Sequence, residues 1–157
     1  MHSTGRGINE EEYALLENFL YEAIFVPEGR PAPPRSVVSL PELRLYVDGF
    51  GSRKDDTGLV AEADGAVVGA IWARIMDDYG HIDGETPSLA VSLYKEYRGR
   101  GIGTTLLREM LSLLKRKGYE RVSLSVQKAN YALKMYENAG FEVVDETEEE
   151  YIMLRRL

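Results

Sequence analysis

The chain has 157 residues, 44% apolar and 29% charged, proportions that suit one globular domain with a sizeable core. A formal net charge of −7 opposes general nucleic-acid binding, which needs a basic face to displace counterions, and favours a cationic partner. The absence of cysteine excludes disulfides, thiolate metal sites and a cysteine nucleophile; no apolar run nears the ~18 residues of a membrane span, and Met1 to Gly7 lacks the apolar centre of a signal peptide, so a cytoplasmic protein with no membrane partner is expected.

Residues 1–8 read as a frayed end or a short first strand. Asn9 is placed to cap a helix, with Glu10, Glu11 and Glu12 in its first turn, where negative charge suits the dipole. Tyr13, Leu16, Leu20 and Ile24 keep helical spacing and predict a helix over 10–25. The prolines from Pro27 to Pro34 impose a loop. Ser39 and Glu42, with Pro41 between them, match a capping box and predict a second helix ending near Gly49. Two apolar segments, 58–63 and 66–75, flank Asp64-Gly65, a strong hairpin signal. A polar loop over 76–87 leads to a strand from Ser88 to Leu93. After a glycine-rich turn, Leu106, Leu107, Met110, Leu111, Leu113 and Leu114 mark the apolar face of a helix from Thr104 to Lys117, with Gly118 as its C-cap. A strand over 121–126, a short helix over 131–138 capped by Asn130, and strands over 141–144 and 151–154 complete the chain. This order predicts a single mixed α/β domain over residues 1–157, with helices on both faces of its sheet.

The glycine turn, Arg98-Gly99-Arg100-Gly101-Ile102-Gly103-Thr104, joins a strand to a helix start. A helix N-terminus carries unpaired N–H groups and a positive dipole end, and glycines admit close backbone approach, so the turn reads as a phosphate cradle. No lysine follows the glycines as a Walker loop requires, and Thr104 stands where a dinucleotide fingerprint needs its last glycine. What matches is Arg98-x-x-Gly101-x-Gly103, which resembles the acyl-CoA pyrophosphate loop of the GNAT superfamily of N-acetyltransferases. A second family motif follows in order, Asn130-x-x-Ala-x-x-x-Tyr136-Glu-x-x-Gly140-Phe141. The specific matches span 58–154; residues 1–50 match in element order alone.

The resemblance implies a mixed, mostly antiparallel twisted sheet, splayed beside the strand of Leu89, Ala90 and Val91, with acetyl-CoA as co-substrate and no metal. The pantetheine arm would lie in the splay and pair with backbone groups, and an N–H near Leu89 or Val91 would polarise the thioester carbonyl. Arg98, Gly99, Arg100, Gly101, Ile102, Gly103 and Thr104 would hold the pyrophosphate, and Asn130 the pantetheine arm. Tyr136 aligns with the family's tyrosine general acid, and Glu85, four residues before Leu89, with a glutamate that serves several members as general base. Bound water is the alternative base. By residue type alone, Tyr136 is a core aromatic and Glu85 a solvated loop carboxylate.

Asp77, Asp78, His81, Asp83 and Glu85 match neither an EF-hand nor a standard zinc spacing and read as an acidic rim, which the run Asp145 to Glu150 extends toward a cationic amine. Tyr21, Phe25, Trp72 and Tyr79 are candidate acceptor-pocket aromatics, Trp72 and Phe25 equally candidate core. The function implied is acetyl transfer from acetyl-CoA to a small amine or amino-acid derivative, with a peptide amine (a protein N-terminus or lysine) as the alternative acceptor. A non-catalytic acyl-CoA sensor is the rival. Homodimers are common in the resembled family.

Overall fold

A computed structural model describes residues 3–78 and 80–157. Strands β1 (Ser3–Gly7), β2 (Thr57–Ala63), β3 (Ala66–Arg74), β4 (Ser88–Leu93), β5 (Arg121–Gln127), β6 (Glu142–Glu146) and β7 (Glu150–Arg156) form one sheet in the order β1-β2-β3-β4-β5-β7-β6. Every neighbouring pair is antiparallel except β4 and β5. Helices α1 (Leu15–Ala23), α2 (Pro41–Arg44), α3 (Ile102–Arg116) and α4 (Leu133–Asn138) complete the regular structure. Among the described residues no helix is long and apolar enough to cross a membrane.

Strand alternation sorts the core onto two faces. Leu59, Ile71, Leu89, Val122, Leu124 and Met153 pack with the apolar face of α3. Val60, Ala70 and Trp72 pack with Leu16, Phe19 and Leu20 of α1 on the other. The Asp64-Gly65 turn has positive φ at both residues, 53° and 80°, as a type I′ hairpin requires.

Three expectations need correction in detail. The predicted 10–25 helix is a 3₁₀ turn over Glu10–Glu12 followed by α1; Glu12 reaches back to the Asn9 N–H at 2.9 Å and the chain turns again before Leu15. Ser39 does not cap α2: it ends a 3₁₀ turn, and Leu40 takes the cap position before Pro41. The second helix stops at Arg44, not near Gly49, because the carbonyls that would extend it are taken by β3 side chains. Trp72 Nε1 donates to the Tyr46 carbonyl at 2.9 Å, and Arg74 Nη1 to those of Leu45 and Asp48 at 3.1 and 2.8 Å. Arg74 also closes a bidentate pair with Asp56, at 3.0 and 3.1 Å, both side chains buried.

Candidate active site

β4 and β5 are joined at one register pair, Ser88 with Ser123. The Ser123 N–H donates to the Pro87 carbonyl at 3.0 Å, so Pro87 presents its backbone toward β5. In a strand, alternate residues present their N–H and C=O to the same side. Leu89 and Val91 therefore face β5 as Pro87 does, yet no register pair continues past Ser88. Beyond the joint the sheet is split, and the edge of the gap is a row of backbone donors and acceptors. The Leu93 carbonyl, at the far end of that row, accepts from Arg98 Nε at 3.1 Å.

The glycine turn closes the same end. Gly99 and Gly101 have φ of 76° and 83°, a left-handed backbone that disfavours any side chain. Gly101 is the N-cap of α3, and its carbonyl accepts the first helical bond, from the Thr105 N–H at 3.1 Å. The amides of Ile102, Gly103 and Thr104 thus begin the helix ahead of its first internal bond, as an anion site requires. Ile102 is buried and anchors this turn in the α3-face core. Arg98 is turned inward: Nη2 donates to the Glu22 carbonyl at 3.0 Å and pairs with the Glu22 carboxylate at 3.4 Å, tying the end of α1 to the end of β4. The Arg100 guanidinium lies 5.6 Å from the Tyr97 ring centre.

Tyr136, on α4, is buried in the same core cluster as Leu89 and Ile102, its ring 5.9 Å from that of Phe141. Burial pushes its phenol well above the ordinary tyrosine value, so it keeps its proton. Asn130 accepts the Ala132 N–H at 2.9 Å and so fixes the turn that leads into α4. The structure thus brings Leu89, Val91, Ile102 and Tyr136 together; Ala90 lies on the opposite face of β4, packed toward α1.

Glu85 stands apart. It lies on the exposed turn before β4, upstream of the joint, and borders a separate cleft of about 330 Å³ with Lys54, Asp55, Tyr119 and Arg121. Among the expected acceptor aromatics, Trp72 is fully buried in the core and Tyr21 donates its hydroxyl to the Pro33 carbonyl. Phe25 is half-buried, and Tyr79 lies outside the described residues. Among the described residues no group of carboxylates and imidazoles is disposed to hold a metal.

Sequence reasoning missed a polar cluster on the α1 face of the joint. Ser88 Oγ donates to Asp78 Oδ1 at 2.9 Å, and the Tyr46 hydroxyl donates to Asp78 Oδ2 at 3.1 Å. Ser123 Oγ donates to the Gly80 carbonyl at 2.7 Å. Ser125 and the Glu150 carboxylate neighbour the Tyr46 hydroxyl. Burial raises the Asp78 carboxyl above the ordinary value, against the hydrogen bonds from Ser88 and Tyr46, and raises Glu150 with a smaller push from Glu149. Burial, then the Asp78 charge, keeps Tyr46 protonated. Sequence pattern places Asp78 in the acidic rim and no further. No spacing signals its partner Tyr46, 32 residues away.

The profile of the acetyltransferase (GNAT) family matches residues 20–141, most of the chain and all of the split. The chain belongs to the acetyltransferase (GNAT) family. Similar GNAT-type relatives include an N-alpha-acetyltransferase of Saccharolobus solfataricus, 33% identical over 114 residues, which are 62% of this chain and 68% of that protein. A mycothiol acetyltransferase of Propionibacterium freudenreichii is 36% identical over 93 residues, 57% of this chain; the chain spans only 29% of that protein's length. Solved structures confirm the GNAT fold. The PaiA N-acetyltransferase of Thermoplasma acidophilum in complex with coenzyme A superimposes with a TM-score of 0.72 at 23% identity, over 100% of both chains. YncA of Salmonella typhimurium, with acetyl-CoA, gives 0.70 at 18% identity, over 100% of this chain and 95% of that one.

Proposed function

We propose that the protein transfers an acetyl group from acetyl-CoA to a primary amine, the amine attacking the thioester directly in a ternary complex. The observation that carries this reading is the gap between β4 and β5, where the Leu89 carbonyl and the Val91 backbone lie beyond the last register pair. An extended arm bearing amides suits such an edge as an added strand would. The left-handed glycines and leading amides of α3 suit a pyrophosphate. The Val91 N–H, the first on this edge beyond the joint, is the donor best placed for the oxyanion that develops on the thioester carbonyl. Tyr136, kept protonated by burial, supplies the proton to the departing sulfur.

A small amine or amino-acid derivative is the acceptor assigned first. The similarity to the Saccharolobus solfataricus N-alpha-acetyltransferase favours a second reading, a protein α-amino group. One assay separates them: thiol release from acetyl-CoA and product mass, measured with small amines, amino-acid derivatives and peptides with free N-termini. Amine-dependent release with addition of one acetyl group is expected. Tyr136→Phe should lower kcat by about 10²-fold while KM for acetyl-CoA holds. Binding of acetyl-CoA without transfer to any amine would overturn the proposal and leave an acyl-CoA sensor.

A further inference from the structure

An alkylammonium acceptor, with a pKa near ~10.4, must lose a proton before it can attack a thioester. Glu85, the carboxylate that the family pattern suggests, lies on the wrong side of the joint and faces a cleft of its own. Asp78 lies on the α1 face, half-buried, and is hydrogen-bonded to Ser88, the residue immediately before Leu89. On that face the next β4 side chain is Ala90, small and only partly buried at the edge of the α1-face core. We infer that Asp78 takes the proton from the acceptor's ammonium group, that Tyr46 and Ser88 position it, and that the amine enters on the α1 face beside Ala90. This rests on the acetyl-transfer reading above.

The hydroxyl protons show how the cluster accommodates both charge states. Each serine has one proton to donate. Ser88 spends its own on Asp78 and Ser123 spends its own on the Gly80 carbonyl, so the 3.4 Å contact between the two hydroxyls carries no proton while Asp78 is ionised. When Asp78 gains a proton it donates to Ser88, Ser88 turns its hydroxyl to Ser123, and the chain stays satisfied. The Gly80 side of the loop holds this geometry tightly, because a Cβ there would meet the Leu124 backbone at 3.0 Å. The titratable groups facing Asp78 are Tyr46, from the segment after α2, and beyond it Glu150 from β7. Arg74, paired with Ser88 across β3 and β4, is committed to Asp56. A raised carboxyl between these groups suits a site that must accept a proton and then release it.

The balance is simple. Asp78 takes one proton from R–NH3⁺ and returns it to solvent. The nitrogen lone pair forms the N–C bond, the C–S bond breaks, and sulfur takes a proton from Tyr136. The second nitrogen proton, lost as the amide forms, restores the tyrosine through solvent. The ammonium form of the acceptor and acetyl-CoA become amide, CoA thiol and one free proton.

The test is the pH profile of kcat/KM for the amine, measured on the intact chain for wild type, Asp78→Asn, Glu85→Gln and Tyr46→Phe. With the base present, the profile is flat from the base's pKa to that of the amine. Asp78→Asn should fall about 10²-fold or more near neutrality and rise about tenfold per pH unit, following free amine, with acetyl-CoA binding unchanged. Glu85→Gln should keep the plateau. Tyr46→Phe removes a hydrogen bond that favours the ionised carboxyl, so its acid limb should move up by about one pH unit. Should Asp78→Asn fail to fold, that Tyr46→Phe shift remains the deciding result. A wild-type plateau in Asp78→Asn, a slope in Glu85→Gln alone, or an unmoved limb in Tyr46→Phe overturns the assignment. A wild-type chain that acetylates no amine overturns the acetyl-transfer reading itself.

Discussion

Glycines in one turn serve different ends. Gly99 and Gly101 are demanded by the backbone, with φ near 80° and open space for 4 Å around the position a Cβ would take. Gly103 has no such constraint, and a Cβ there would make ordinary contacts with Met135 at 3.5 Å and Leu93 at 3.6 Å. Gly101→Ala should therefore cost about 1–2 kcal/mol of folding stability. Gly103→Ala should leave stability equal or higher by about 0.5–1 kcal/mol, since alanine is the better helix former, while raising KM for acetyl-CoA. Melting curves and KM separate the two roles; an unchanged KM in Gly103→Ala would assign that glycine to packing alone. The turn was legible because its residues are contiguous and each backbone need is local. Asp78 with Tyr46 was not, because a hydrogen bond between distant residues leaves no period or spacing behind.

Elements came through the sequence where amphipathic spacing was strong, as in α3 and the β2–β3 hairpin, and failed where side chains compete for the backbone. Nothing around Leu45 forbids helix; Arg74 and Trp72, on a strand nearly thirty residues later, take its carbonyls. That clamp also sets the position of Tyr46, and through it of Asp78. Arg74→Leu leaves Asp56 buried with its charge uncompensated, and should lower stability by about 3–5 kcal/mol in urea denaturation. Adding Asp56→Leu removes the stranded charge and should recover part of the loss. A single variant within about 1 kcal/mol of wild type would show that the segment after α2 is held by its apolar contacts instead.

For the molecule as a whole, the proposed co-substrate binds the native state and should stabilise it. Acetyl-CoA at 100 times its Kd contributes ~2.7 kcal/mol, a rise in Tm of roughly 5–10 °C for a chain of this size. NAD should give none. No shift at saturating acetyl-CoA would remove the co-substrate assignment and leave the fold.

The single joint has a further consequence for the sheet itself. Four strands lie on one side of it and three on the other, stitched at Ser88 and Ser123 and then parted. On the proposed function, the missing rungs of this ladder are supplied by the substrate, so each turnover completes the sheet and each product departure unzips it. The seam is then a mechanical part of the cycle. Its looseness in the empty protein lets CoA leave, and stitching β4 to β5 along their length would yield a sturdier protein and a slower enzyme.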